Sequence, residues 1–152
     1  MKRISELLNQ LESNIANSDT VNTDVSAASV GWHIEHCLLV LNGVIEATKN
    51  SNPTDYKWEF NFTRLVVYTM NKFPRGKAKA PDRVRPVGVI DIERLRKSIE
   101  MVRPKIEILN TLQPNNFFLH PYFGKLNLKN TVKFLEIHTN HHLKIINDIL
   151  GK

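Results

Sequence analysis

Apolar residues recur at helical spacing through most of this 152-residue chain, and no stretch alternates as a half-buried strand would. In four long stretches the apolar positions fall three and four residues apart, which places them on one face of an α-helix. These predicted helices cover about residues 4–15, 26–49, 91–109 and 128–150, and a shorter one covers 62–72. The pattern therefore predicts an all-α fold, a four-helix bundle with an additional short helix and long loops.

Residue types near the predicted boundaries support these helices. Ser26 and Asp91 have side chains that accept hydrogen bonds from the first turn of a helix, so we expect them as N-caps. Pro104 lies inside the fourth helical pattern and should kink it, because proline lacks a backbone donor. The remaining long stretches, residues 74–90 and 113–127, are rich in turn-forming residues and are predicted as loops.

Length and composition indicate one soluble domain over residues 1–152. The hydrophobic fraction of 41% and the charged fraction of 24% are ordinary for a globular protein. The single cysteine, Cys37, allows no intramolecular disulfide, and we expect it to be a small buried residue. The charged N-terminal stretch does not resemble a signal peptide, and no apolar run approaches the ~20 residues of a membrane span. We expect a cytoplasmic protein.

The net charge of +6 is concentrated in one loop. Residues 72–86 contain six Lys and Arg residues against the single acid Asp82, so this stretch contributes +5 of the net charge of +6. Nucleic-acid binders usually carry such charge along a helix or sheet, together with aromatic side chains. Here the charge lies in a segment interrupted by prolines. We therefore expect no nucleic-acid partner, and we interpret residues 74–86 as a lid that attracts an anionic small molecule, with a merely solvated loop as the alternative.

Three of the six histidines lie within five residues of the last predicted helix. His138 and His142 are four residues apart, so their side chains leave consecutive turns in the same direction and are able to grip one ion. His141 projects further round the helix. The alternative is a pair of hydrogen-bonded histidines without metal, and the spacing alone does not decide between the two.

A third ligand has to come from another helix. The second predicted helix offers His33 and His36, and both lie away from its polar face. Their positions on the helical wheel do not select one of them.

The pattern resembles the DinB/YfiT-like family of four-helix-bundle proteins. That family has a histidine midway along the second helix, seven residues after a Ser or Thr, and a His-x-x-x-His pair on the last helix. Ser29 precedes His36 by seven residues, and His138-Thr139-Asn140-His141-His142 matches the second part. Many members have a tryptophan just before the Ser or Thr, where this chain has Ala28. The segments 74–81 and 120–124 also resemble a DinB-related subgroup, and the likeness extends over residues 26–150.

The resemblance implies a site in which His36, His138 and His142 bind nickel or zinc. Three nitrogen ligands with an open position are typical of catalytic sites. The activities known in the family are those of thiol-dependent transferases and metal-dependent hydrolases, and the resemblance allows both. The alternative is a non-catalytic metal-binding or dimerising bundle. We expect a small-molecule substrate, an anionic thiol in the transferase case, and a homodimer without a membrane partner.

Other site residues are predicted less directly. Arg75, Lys77 and Lys79 are the candidates for binding the anionic ligand. His120 is a candidate proton carrier or fourth ligand, although a turn residue held by Pro121 is the alternative. The aromatic residues of the same loop are predicted to fill the core, and Glu35 and Glu136 are predicted to face solvent. The aromatic residues are Phe117, Phe118, Tyr122 and Phe123.

Overall fold

The computed structural model describes residues 1–75 and 80–152, which form five α-helices and a two-stranded hairpin. The elements are α1 (Lys2–Ser13), α2 (Val30–Lys49), α3 (Phe62–Met70), α4 (Ile92–Ile108), β1 (Phe117–His120), β2 (Gly124–Asn127) and α5 (Leu128–Ile149). The predicted helical bundle is confirmed, and its helix boundaries lie within a few residues of those predicted.

The second helix begins later than predicted. Its N-cap is Ser29, whose hydroxyl accepts a hydrogen bond from the backbone N–H of Trp32 at 3.2 Å. The prediction of Ser26 as the cap was wrong, because the Ser26 hydroxyl accepts from the N–H of Ala28 in the preceding turn instead. Asp91 caps α4 as predicted by accepting from the N–H of Arg94.

The four long helices form the bundle. The helix α1 packs against α4 and α5, and α2 packs against the same two helices. Each contributes the apolar stripe found in the sequence, and the most fully enclosed side chains come from all four. Those of α1, α2 and α4 are Ile4, Leu8, Leu11, Ile34, Leu41, Ile45, Leu95, Ile99 and Ile106. The helix α4 continues through Pro104, which lies on the exposed side.

The hairpin differs from the prediction of a loop over 113–127. Strands β1 and β2 pair antiparallel, with Phe118 opposite Leu126. Both of these side chains are buried, whereas Leu119 is 62% exposed. Strands of four residues are too short for alternation to stand out in the sequence. Tyr122 in the turn is 58% exposed, so the prediction that it fills the core was wrong, while Phe118 and Phe123 are buried as predicted.

No helix in the described part of the chain is both long enough and apolar enough to cross a membrane.

Candidate metal centre

The two histidines of the last helix point into the bundle toward α2. His138 and His142 lie one turn apart on α5, and their ring centroids are 4.7 Å apart. His142 is 9% exposed, so α2 covers most of its ring. The expected i, i+4 pair is therefore present on a face that is packed rather than solvated.

His36 completes the group from α2. Its Nε2 lies 3.2 Å from the Nε2 of His138, and its ring centroid lies 4.7 Å from that of His142. One ligand nitrogen from each of the three histidines falls within 4.8 Å of the other two. Two nitrogens bound tetrahedrally to one ion at about 2.1 Å are separated by about 3.4 Å, so the His36–His138 spacing suits a shared ion.

The backbone fixes the tautomer of His36. Its Nδ1 lies 2.7 Å from the carbonyl oxygen of Val84, which can only accept, so Nδ1 carries the proton and donates it. The Nε2 of His36 therefore presents its lone pair to the cluster. A backbone carbonyl in this role is a common way to orient a metal-binding histidine.

His33 lies behind the cluster instead of inside it. Its Nδ1 is 3.0 Å from the Nδ1 of His142, and its Nε2 is 3.1 Å from the hydroxyl oxygen of Ser26. Because His33 occupies the Nδ1 of His142, the Nε2 of His142 is the nitrogen left for an ion. The structure thus separates the two histidines that the helical wheel could not distinguish.

Burial keeps the cluster neutral. It lowers the pKa of His138 and His142 well below the usual value of 6.5, and the neighbouring histidines lower both further. Burial also lowers the pKa of His36, and the hydrogen bond to Val84 partly opposes this shift. Neutral imidazoles are the form that binds metal.

The donor set fits a divalent ion. Because Nδ1 of His36 is the protonated nitrogen, its Nε2 needs a proton or a cation from the direction of His138. The Nδ1 of His138 is buried and has no hydrogen-bond partner whether or not an ion is bound, so this atom does not favour either case. An ion bound by both Nε2 atoms satisfies the two lone pairs that face each other.

Aromatic side chains enclose the cluster. The Trp32 ring stacks on His36, with centroids 5.2 Å apart and an interplanar angle of 13°. Phe134 and Phe73 lie 5.6 and 6.2 Å from the ring of His138. These contacts exclude water from two sides of the ligands, which strengthens electrostatic interactions within the site.

A cavity of about 410 Å³ lies beside the cluster. It is lined by Lys72, Arg75 and Lys144 together with His141, which directly precedes the predicted ligand His142. Burial lowers the pKa of His141 to about 4, and the nearby cations lower it as well. The other lining residues are Asn71, Phe73, Pro74, Ile137 and Asn140. A positively charged cavity next to three histidines is suited to an anionic ligand.

The remaining predicted site residues have other partners or fall elsewhere. Arg75 forms an ion pair of 2.6 Å with Asp148, and Glu35 pairs at 3.1 Å with Arg94 on α4, away from the cluster. Lys77 and Lys79 lie outside the described residues. Burial raises the pKa of the fully enclosed Cys37 thiol far above its usual range, and its enclosure agrees with its prediction as a small buried residue.

His120 lies at the end of β1 and holds the hairpin turn. Its Nδ1 accepts hydrogen bonds from the N–H groups of Tyr122 and Phe123, at 3.1 and 3.2 Å. Its ring stacks on Phe123 at 4.3 Å and contacts Phe134, which in turn contacts His138. The three-histidine group does not include it. The contacts of His120 are those of a turn residue.

Three of the groups around the cluster were not predicted from the sequence. Val84 acts through its carbonyl, which every residue type possesses, so its identity gives no signal. Neither Trp32 nor Phe73 was among the predicted site residues. Stacking contacts of this kind arise when loop and helix meet, which local periodicity does not report.

A mostly helical bundle that gathers three neutral histidines from two helices belongs to the class of helix bundles with a candidate metal site in the core. The sequence model of the DinB superfamily matches residues 19–146. Since this match covers most of the chain, the protein belongs to the DinB superfamily. No curated protein and no solved structure matches the chain.

Proposed function

We propose that this protein is a metal-dependent enzyme in which His36, His138 and His142 bind one divalent ion, nickel or zinc. The observation that carries the proposal is the group of three neutral imidazoles with ligand atoms within 4.8 Å of one another. Structural zinc sites usually have four protein ligands, whereas catalytic sites have three and keep a position open. When bound, such an ion supplies a Lewis acid that lowers the pKa of a coordinated thiol or water.

The surroundings of the cluster favour a thiol-dependent transferase over a hydrolase. Lys72 and Lys144 line the adjacent cavity and would attract the carboxylates of an anionic thiol. Arg75 belongs to the same proposed anion site, although its pairing with Asp148 offsets part of its charge. Attack by water usually needs a nearby general base, and the ion-binding group of the described residues contains no carboxylate. Hydrolysis is therefore the second candidate.

The first experiment measures the metal itself. Protein prepared without a histidine tag should contain about one nickel or zinc per chain by elemental analysis. His138→Ala should lose most of it, whereas His141→Ala, a change at a cavity residue three positions away, should keep it. Full metal content in His138→Ala would contradict the proposed site.

The second experiment separates the proposed activities. The metal-loaded protein is tested with glutathione and a chlorodinitrobenzene, which reports thiol transfer, and with a nitrophenyl ester, which reports hydrolysis. We expect turnover of the first that is lost in His138→Ala. Ester hydrolysis alone would favour the second candidate. Bound metal without either activity would favour the non-catalytic metal-binding module.

A further inference from the structure

The short helix α3 presents apolar side chains to solvent. Its buried side includes Arg64, which is 8% exposed, whereas Phe62 and Met70 on its outer side are 68% and 66% exposed. Trp58 and Phe60, in the segment just before α3, are exposed to a similar degree. We call the exposed apolar residues the α3 face; they are Trp58, Phe60, Phe62, Leu65, Val66 and Met70.

Arg64 holds this arrangement in place. Its guanidinium donates to the backbone carbonyls of Glu59, Phe123 and Lys125 at 2.5, 3.2 and 3.4 Å. Asn61 caps α3 by accepting from the N–H of Arg64. A buried cation with several hydrogen bonds fixes α3, the segment before it and the hairpin relative to one another. The exposed rings therefore belong to an anchored surface and not to a loose strand of chain.

The three aromatic rings alone make a large apolar patch. At ~150–250 Å² for a whole aromatic side chain, three rings that are about two-thirds exposed present roughly 300–500 Å². That is comparable with the largest apolar patch of a typical monomer, ~300–600 Å², and such patches mark sites where a protein or a membrane binds. The charges around the patch indicate which of the two covers it.

Lysines lie on the elements that border the α3 face. Lys57 directly precedes Trp58, and Lys72 follows the last residue of α3 by two positions. Lys125 belongs to β2, which the guanidinium of Arg64 ties to α3. The segments on three sides of the face thus each contribute a positive charge.

The helix α5 adds two more lysines. The hydroxyl of Tyr68 on α3 donates to the carbonyl of Asn130 at 2.7 Å, which places the start of α5 beside α3. Lys129 directly precedes Asn130, and Lys133 lies one turn further along α5. The five lysines are accompanied by three acids on the same elements, so the surroundings of the face are positive. These acids are Asp55, Glu59 and Glu136.

Exposed aromatic rings beside lysines fit the surface of an anionic membrane. Tryptophan and phenylalanine bind well at the boundary between lipid headgroups and acyl chains. Each lysine close to an anionic leaflet strengthens binding by about five-fold. In a symmetric dimer the same lysines would approach their counterparts and repel them. The charge around the α3 face therefore favours lipid headgroups over a second copy of the chain.

We propose that the α3 face docks this protein on an anionic lipid surface, with the aromatic rings among the headgroups and the lysines against the lipid phosphates. Docking does not require the metal, because none of the three clustered histidines belongs to the face. Asn71, which directly follows α3, lines the cavity beside the cluster, so docking holds this cavity near the lipid. The expectation of no membrane partner was based on the lack of a long apolar run, which concerns crossing a bilayer and not binding to its surface.

The first test measures sedimentation of the protein with lipid vesicles. Wild-type protein should bind vesicles of phosphatidylcholine and phosphatidylserine at least about 20-fold more tightly than vesicles of phosphatidylcholine alone, with or without chelator. The difference should shrink near 1 M salt, where the screening length falls to ~3 Å. Binding should also shift tryptophan fluorescence to shorter wavelength, because Trp58 leaves water. Trp58→Phe should lose this shift and still bind.

Two methionines of similar exposure test the position of the docking surface. Met70→Glu should weaken binding to the anionic vesicles by about 10-fold or more, because docking would bury an unpaired carboxylate. Met101→Glu makes the same change of charge at a residue on α4 that is 60% exposed, and it should have little effect. Circular dichroism verifies that both variants remain helical.

A pair of charge variants tests the lysines. Lys129→Gln combined with Lys133→Gln should weaken binding to the anionic vesicles by about 20-fold. Arg96→Gln with Lys97→Gln removes the same charge from α4 and should change binding far less.

Three results would overturn the proposal. They are a wild-type protein that does not bind the anionic vesicles, equal binding to neutral and anionic vesicles, and equal losses in the two methionine variants. Light scattering identifies the competing occupant: a wild-type dimer that Met70→Glu dissociates, without vesicle binding, would assign the α3 face to a second copy of the chain.

Discussion

The Nδ1 of His33 on α2 lies 3.0 Å from the Nδ1 of His142 on α5, and this contact ties a proposed ligand to a second, non-ligating histidine. With Nε2 of His142 directed at an ion, its Nδ1 donates to His33, whose Nε2 then donates to Ser26. The pKa of His33 is lowered to about 4, chiefly by burial, so at neutral pH it has the lone pair that this role requires.

His33→Ala should weaken metal binding by about 10- to 100-fold, the range typical of losing such a supporting partner. The stacked Trp32 provides the readout, because a nickel ion near His36 should quench its fluorescence. Trp58→Phe removes the exposed second tryptophan from the signal. Ser26→Ala, one step further from the ion, should have a smaller effect than His33→Ala. Equal nickel affinity in the wild type and His33→Ala would exclude the supporting role.

Chelation should lower the melting temperature without unfolding the bundle. An ion present at ~100 times its dissociation constant stabilises the folded state by about 2.7 kcal/mol, which for a domain of this size corresponds to roughly 5–10 °C. The core formed by the four long helices does not include the ion, so far-ultraviolet circular dichroism should remain helical in chelator. Complete unfolding would indicate a structural metal and would contradict the enzyme proposal.

Gly31→Ala should destabilise the protein and weaken metal binding together. A Cβ at position 31 would lie 2.6 Å from the Cγ2 of Ile90 and 3.0 Å from the carbonyl oxygen of Ser18. The backbone at Ser18 cannot yield as a side chain can, so we expect a loss of about 1–3 kcal/mol. Displacement of Ile90 would also move the segment that includes Val84, the hydrogen-bond partner of His36.

Gly43→Ala on the same helix is the matched control. No atom lies within 4 Å of its added Cβ, and alanine is favoured over glycine inside a helix by about 0.5–1 kcal/mol. Gly43→Ala should therefore raise the melting temperature and leave nickel affinity unchanged. If Gly31→Ala also raises the melting temperature, the close contact at Gly31 does not limit stability.

Lowering the pH should destabilise the folded protein, and His120 in the hairpin should account for part of this loss. Burial, and secondarily Arg83, lowers the pKa of His120 to about 4, whereas in the unfolded chain it is near 6.5. Between these values the unfolded chain binds a proton that the folded chain does not, so the free energy of unfolding falls as pH decreases through this window. His120→Asn keeps an acceptor for the turn but cannot titrate.

The measurement compares urea unfolding at pH 7 and pH 5, in chelator, for the wild type and His120→Asn. The loss of stability between the two pH values should be smaller in the variant by up to about 2 kcal/mol. Equal losses in the two proteins would show that His120 takes up its proton in the folded state.

Lys72→Gln combined with Lys144→Gln should weaken binding of glutathione by about 10-fold at low salt and leave metal content unchanged. The difference should shrink near 1 M salt, where the screening length falls to ~3 Å. Arg96→Gln with Lys97→Gln removes the same charge from α4 and serves as the control. If the α4 variant binds glutathione as weakly as the cavity variant, the effect reflects net charge and not the cavity.

The helices and two of the histidines were predictable because their signals are local. Apolar residues at three- and four-residue spacing predicted the buried faces of α1, α4 and α5, and the spacing of His138 and His142 follows directly from the helical period. The choice of His36 over His33 required the family resemblance, because both are buried on α2 and only a contact with α5 separates them. The pairing of the hairpin and the burial of Arg64 on α3 were not predictable. Both depend on hydrogen bonds to backbone carbonyls that the fold brings together, and every residue type has such a carbonyl.

The hydrogen bond from His36 to the carbonyl of Val84 has a consequence for how such a protein can diversify. The acceptor is present whatever side chain occupies position 84, so the orientation of the proposed ligand depends on the path of the chain and not on the identity of that residue. Substitutions at Pro74 or Arg75, which line the neighbouring cavity, can change its charge and shape. If they preserve the path of the chain to Val84, they leave the histidine cluster intact. Selectivity for the proposed ligand and retention of the proposed metal site can then evolve separately, although one short segment contributes to both.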